Sequence, residues 1–432
     1  MIDTEGAGPD ADHGRAGADA PAGDDAALEQ IARLKPREIA VGVPTYNNAG
    51  TAGIVAAAAR DGLEKYFPGV PAALINSDAG SSDGTAAALA AAGVPIVSAR
   101  HEAPIPERAA VPFHGVPGRG AALRMTFGVA RELGVRVLVL LEADVTTVSG
   151  EWVDRLARPV WEQTADLVTA AYARHRYDGT ITNLLVAPLV RALYGRRLRH
   201  PLAGAAALSA RLIDHLLIHP RWNWTSRDVS DLWITGTAIA DGFGVAQAWL
   251  GRHHVESRTR TMDLPSMVAQ TVGAVFTVMD RHEDLWVEVR GSEPLPMVGE
   301  PVPPSAEPIA VDTDRMVAAF QLGARDLGDI WEHIMAAETF GDVLELSESP
   351  PARFRFPDDL WARVVYDFAL GHHYGVVYRE HLLRSLVPLY LGKTAAFVLA
   401  TQARDAVATE AALEAVALAF ERQKPYLVAR WR

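Results

Sequence analysis

The chain has 432 residues, with 41 Lys and Arg against 53 Asp and Glu, a formal charge of −12. Nucleic acids and anionic membranes select clustered cations, so neither is an expected partner. No cysteine is present to form a disulfide, a thiolate metal site or a thiol nucleophile, and 49% apolar with 22% charged residues is the balance of a soluble globular protein of two or three domains.

No run reaches the ~20 uninterrupted apolar residues of a spanning helix, and a cysteine-free chain suits the reducing cytoplasm. Residues 1–30, rich in Ala, Gly and Asp, lack the basic and apolar regions of a signal peptide and too few large apolar groups follow to order them; a disordered tail is expected. The elements then alternate. Residues 38–44 form a buried strand ended by Pro44, and 51–67 a helix. A second strand spans 72–78, and a helical stretch capped by Ser and Asp spans 81–93. A third strand (94–100), a helix between glycines (118–134) and a strongly apolar fourth strand (135–144) follow. Such alternation predicts an α/β fold with a mainly parallel sheet covered on both faces. Ligands of such sheets bind at the carboxyl ends of the strands, here Thr45–Asn48, Asp78–Asp83 and Glu142–Asp144. Residues 150–290 are mixed, 291–308 are Pro-rich, and 312–338, about 358–403 and 405–423 have helical patterns. The expected division is a tail (1–30), a catalytic domain (31–290), a linker (291–311) and a helical C-terminal region (312–432).

Glu142 and Asp144 stand two apart at the end of a buried strand, so an extended backbone sends both carboxylates to one side. They either cap the following turn or meet a cation, because desolvated carboxylates need compensation. Asp78 and Asp83 lie in a Gly-rich turn and offer acceptors to ribose or base groups, or to a helix end. Arg119, flanked by Gly118 and Gly120 at a helix start, suits a diphosphate. The stretch is not a Walker loop, and its glycine spacing does not match a dinucleotide fingerprint.

In this order, P-x-x-N from Pro44, D-x-G-S-x-D-G-T from Asp78, G-R-G-x-A from Gly118 and E-x-D from Glu142 resemble nucleotide-sugar glycosyltransferases of the GT-A fold. Residues 173–185, 200–213 and 224–254 narrow this to the retaining synthases of mannosylglycerate, glucosylglycerate and glucosyl-3-phosphoglycerate. The helical extension resembles that of mannosylglycerate synthase.

The resemblance implies an NDP-hexose donor, GDP- or UDP-linked, a D-glycerate acceptor, a divalent Mg or Mn ion and a possible homodimer. Pro44, Tyr46, Asn48, Asp78, Arg119, Glu142, Ala143, Asp144, Ala203 and Gly204 would bind the donor. Asp144 would ligate the metal with a histidine. His253 and His254 compete for that place, and the register of 246–251 favours His254. Arg174, Asp178, Gly179, Ile181 and Thr182 would read glycerate: a guanidinium for its carboxylate, Asp and Thr for its hydroxyls. Leu202 would face its carbonyl to the anomeric carbon, with Asp231 orienting hydroxyls and Asp228 its fallback. The chain departs from the family at Arg119 (usually Lys), Asn48 (often Glu), Ala205 (Glu) and Thr180, where users of 3-phosphoglycerate carry Arg. Transfer to 3-phosphoglycerate, as by glucosyl-3-phosphoglycerate synthase, and non-catalytic nucleotide-sugar binding remain as alternatives. An inverting polysaccharide-type transferase is disfavoured, because its expected motifs are missing.

Overall fold

The computed structural model describes residues 25–101, 114–220, 230–256, 263–302 and 309–431. The first helix, α1 (Asp25–Leu34), buries Ala27 and Ile31. The expected tail therefore stops short of residue 30: periodic apolar contacts fix the backbone from Asp25 onward. Residues 1–24, and Asp228, lie outside the described residues.

Strands β1 (Ile39–Thr45), β2 (Ala72–Asp78), β3 (Ile96–Arg100), β4 (Val137–Leu140), β5 (Leu167–Ala173), β7 (Ala206–Ser209), β8 (Val245–Arg252) and β10 (Met297–Val298) form one sheet, ordered β10-β8-β5-β7-β4-β1-β2-β3. Its pairs are parallel except those of β7, which runs against both β4 and β5. Beside it, β6 (Arg196–Arg197) pairs with β9 (Glu293–Pro294). The Pro-rich segment is thus more than a linker, since β10 hydrogen-bonds to β8 at the sheet edge.

Strand alternation divides the core. Ile39, Val41 and Val43 join Leu74, Val137 and Val139 under helices α2 (Ala49–Tyr66) and α5 (Gly150–Trp161). Ala40, Ile75, Leu138 and Leu140 face the other way, under α4 (Arg119–Leu133), in a core continuous with the C-terminal helices. The helical stretch after β2 is short, α3 (Thr85–Ala90), with Gly84 rather than a side chain at its N-cap.

The C-terminal region comprises α11 (Thr313–Asp326), α12 (Gly328–Ile334), α13 (Ala337–Ser347), α14 (Asp358–His373), α15 (Arg379–Thr401) and α16 (Ala406–Val428). What the sequence presents as one helix over 358–403 breaks after His373. The helices fasten to α6 (Ala187–Tyr194), where Arg191 pairs with Glu414 and Glu421 and Lys424 donates to the Ala192 carbonyl at 2.7 Å. Helix α15 is long and apolar enough to cross a membrane by length and composition, but most of it is buried among its neighbours, as a core helix requires.

Candidate active site

The carboxyl ends of β1, β2 and β4 lie side by side, with Thr45 paired to Asp78 and Gly42 to Leu140. The fourth strand stops at Leu140, four residues before the expected end, and Glu142–Asp144 occupy a turn. Apolarity suggested a longer strand. Pairing ends because β7 meets β4 only up to Leu140.

The Glu142 carboxylate is buried between two imidazoles, with His114 Nδ1 at 2.9 Å and His253 Nε2 at 3.2 Å. Burial alone would raise its pKa; the hydrogen bonds and charges of the two histidines outweigh that and hold it well below the usual carboxylate range. Gly204 lies directly over it. A Cβ at Gly204 would come within 2.2 Å of the Glu142 carboxyl carbon, and φ there is +77°, so glycine is required on both counts.

His114 continues to Asp231, with Nε2 2.8 Å from Oδ2. Arg119 grips the same carboxylate with two nitrogens, Nη2 to Oδ1 at 2.9 Å and Nε to Oδ2 at 3.2 Å, and also donates to the Gly204 carbonyl at 3.3 Å. Burial and the Arg119 charge both push His114 down, but Asp231 and Glu142 win and raise it. Burial would likewise raise Asp231, and Arg119 and His114 drive it far down. The result is a buried relay of alternating charge, Glu142–His114–Asp231–Arg119. Arg119 is therefore engaged within the protein, where its position at a helix start alone had suggested an open anion site.

Asp144 is 5% exposed and adds its charge to the field at Arg119. Beyond it, Val145 bridges Val255 in antiparallel fashion, with Glu256 N on the Asp144 carbonyl and Thr146 N on the His254 carbonyl, both at 2.9 Å. That bridge brings the backbones of Asp144 and His254 to neighbouring segments. His253 turns onto Glu142, with its ring 4.2 Å from that of Tyr172. The two adjacent histidines thus differ: His253 meets Glu142, while the His254 side chain is exposed.

The loop after β1 is braced from the loop after β2. Asp78 accepts from Gly80 N, Ser81 N and Thr45 Oγ1, at 3.0, 2.8 and 2.9 Å. Its oxygens are occupied, so a nucleoside meets them only by displacing a partner. Asn48 Oδ1 accepts from Tyr46 N, and Tyr46 packs on Ala79, Val116 and Ala122. Pro44 is the next-to-last residue of β1, and the Ala143 carbonyl accepts from Thr51 Oγ1 at 2.6 Å.

In the turn over β7, the Ala203 carbonyl accepts from Tyr172 Oη and the Gly204 carbonyl from Arg119, whereas the Leu202 carbonyl accepts from no described residue. His200, driven well below the usual imidazole pKa by burial, accepts at Nδ1 from Tyr172 N. Arg174 lies over the Tyr172 ring at 5.4 Å and its Nη1 is 3.2 Å from where a Gly179 Cβ would sit, while its buried Nε has no partner among the described residues. Asp178 is exposed, Ile181 and Thr182 are buried, and Thr180 Oγ1 meets Tyr390 Oη of α15 at 2.5 Å. The strip around Arg174 is thus fixed by the C-terminal region.

Sequence reasoning missed His114, which joins residues 28 and 117 positions away, and Tyr172 and His200. No motif signals them; a histidine before the G-R-G turn was the one available hint.

No family description and no curated protein matches the chain. Similar solved structures include glucosyl-3-phosphoglycerate synthase from Mycobacterium tuberculosis in complex with Mn2+, uridine diphosphate and glucosyl-3-phosphoglycerate, at 25% identity over 60% of this chain and 84% of that one, TM-score 0.44. The same enzyme with Mn2+, UDP-glucose and phosphoglyceric acid shows 26% identity, 59% and 83% coverage and a TM-score of 0.43. Its complex with Mg2+ and uridine diphosphate shows 25% identity, 60% and 83% coverage and a TM-score of 0.44.

Proposed function

We propose that the chain is a retaining, metal-dependent hexosyltransferase of the GT-A type. It moves glucose or mannose from a UDP- or GDP-linked donor to the 2-hydroxyl of D-glycerate. The observation that carries this reading is the buried Glu142–His114–Asp231–Arg119 relay. It lies beyond the carboxyl end of β4, and the charge of Asp144 acts on its Arg119.

The donor set suits a hard divalent cation. One buried carboxylate and an imidazole from the neighbouring segment are enough, because Mg2+ keeps several waters and takes substrate phosphates as further ligands. Asp144 and His254 would hold the ion, which supplies charge stabilisation to the departing diphosphate. Glu142 and Asp231 hold their own cationic partners, so the site carries fixed dipoles that need no rearrangement during the reaction. Arg119, at the start of α4, faces the same diphosphate with its remaining capacity.

Asp231 is a poor nucleophile, since Arg119 and His114 already occupy both of its oxygens. Substitution on one face fits better. The anomeric carbon–oxygen bond to the diphosphate breaks, a bond to the acceptor oxygen forms on the same side, and the hydroxyl proton passes to the leaving phosphate oxygen. The Leu202 carbonyl would face the anomeric centre, and Arg174 would hold the acceptor carboxylate. Thr180 is committed to Tyr390 and brings no cation for an acceptor phosphate, which favours glycerate over 3-phosphoglycerate.

The test is NDP release across a matrix of UDP- and GDP-hexoses against D-glycerate and 3-phosphoglycerate, with Mg2+ or Mn2+. Anomeric configuration of the product is read by NMR. Glycerate-dependent release with retention is expected. Donor binding without release under any combination would identify a non-catalytic binder and overturn the reading.

A further inference from the structure

A second constellation lies at the opposite pole of the sheet. Because β7 is antiparallel, it delivers the chain to the amino ends of the parallel strands, where Ser209 pairs with Val137 and helix α7 (Ala210–Ile218) begins. His215 and His219, four apart, share one side of that helix end. Asp241 meets them from the turn between α8 (Ser230–Ala240) and β8. His215 Nε2 is 2.6 Å and His219 Nε2 3.5 Å from the same oxygen, Asp241 Oδ2. All three ligand atoms lie within 4.8 Å of one another, the one such grouping of three His, Asp or Glu residues among the described residues.

We propose that His215, His219 and Asp241 form a zinc site, separate from the catalytic centre, that clasps the end of α7 to the end of α8. Two imidazoles and a carboxylate are a donor set that zinc accepts readily, with water as the fourth ligand. Tetrahedral ligands at ~2.0–2.1 Å stand about 3.3 Å apart. The His219–Asp241 separation already has that value to within a few tenths, and the His215–Asp241 contact has to open by ~0.7 Å to match. The rings are held in place: His215 tilts against Phe243 at 5.0 Å and His219 meets Trp233 edge-on at 5.1 Å. Below the cluster, Asp166 ties the same two elements together through Ser209, Arg211 and Gly244. The loop closed by the clasp, from His219 to Asp241, contains Asp231 of the relay. Zinc therefore tethers both ends of the segment that delivers this carboxylate.

The experiment uses the full chain, stripped of metal and titrated with Zn2+ by calorimetry, with bound metal counted after desalting. Wild type is expected to retain one Zn2+ per chain, with Tm rising by about 3 °C at zinc one hundred times Kd. Co2+ should give the visible bands of a tetrahedral site. Asp144→Asn, which disables the catalytic cation pair, should keep this zinc. His215→Ala/His219→Ala should lose it. Asp241→Asn, which preserves shape and an acceptor oxygen, should bind at least tenfold more weakly with an unchanged circular dichroism spectrum. Equal zinc affinity in wild type and in Asp241→Asn, or no binding tighter than millimolar in wild type, would overturn the proposal and leave a His–Asp hydrogen bond.

Discussion

Replacing Asp231 with Asn removes one charge from the relay and changes almost nothing in volume. The Asp231 side chain is 12% exposed and the partners it leaves, His114 and Arg119, are 5% and 10% exposed. Arg119 would lose its only carboxylate hydrogen-bond partner among the described residues and His114 would keep Glu142 alone, a change that costs about 3–5 kcal/mol. For 432 residues at ~2.1 cal/mol/K each, the unfolding entropy is about 0.9 kcal/mol/K, so Asp231→Asn should lower Tm by ~3–5 °C. The same substitution should deprotonate His114, because burial and the Arg119 charge then act with only Glu142 opposing them.

The pH dependence follows with a definite sign. His114 is raised in the folded state, so its stabilisation is complete below the unfolded imidazole value of ~6.5 and fades as pH climbs through its folded value. Glu142 and Asp231 are lowered, so theirs is present above the unfolded carboxylate range and is lost in acid. Calorimetry of wild type from pH 4 to 9 should show Tm declining on the alkaline side. His114→Gln should flatten that limb, and the Tm losses of His114→Gln and Asp231→Asn should fail to add by ~1 °C or more. A Tm within 1 °C of wild type for Asp231→Asn, or strict additivity of the two, would refute the charge relay.

Gly204→Ala should be among the most damaging single changes, because the added methyl meets the Glu142 carboxylate at 2.2–2.5 Å in a left-handed backbone. The backbone strain alone costs ~1–2 kcal/mol, and thermal denaturation together with loss of turnover in the NDP-release assay checks it. Tyr390→Phe removes the hydroxyl that holds Thr180. A lost hydrogen bond of about 1 kcal/mol should raise KM for the acceptor roughly fivefold, with KM for the donor unchanged, measured by initial rates at saturating donor.

The sheet was legible where the sequence obeys a local rule. Residues 72–78 are a strand with the expected bounds, and the start of each of the first four strands falls within two residues of the sequence pattern. The end of the fourth was misplaced because apolarity reports burial, and Leu141 and Ala143 are buried beyond the last strand residue. Strand β7 carried no readable pattern. Four residues of Ala, Leu and Ser have little intrinsic strand preference, and the two neighbours that flank them make the strand. The helical breaks after residues 326 and 373 carried a local signal that the apolar pattern outweighed, a glycine two residues beyond each, Gly328 and Gly375, the latter at φ +61°.

Motif order brought the donor loops to one edge of the sheet, yet it could not say which charges would meet. The carboxylate of Glu142 is neutralised by His114 and His253, and the guanidinium of Arg119 by Asp231, pairings that span 28, 111 and 112 positions. Each residue seen alone suggested a group waiting for a ligand. In the fold those groups satisfy one another, because a buried charge left for a future substrate would destabilise the unliganded protein by several kcal/mol. Where the site does hold capacity in reserve, it is smaller and more local: the Leu202 carbonyl and the Arg174 Nε, which meet no partner among the described residues. Specificity in such a site is set by what its self-paired charges exclude as much as by what they attract. On the proposed reading, a phosphate on the acceptor would find Thr180 already bonded to Tyr390, with no added cation there to offset its desolvation.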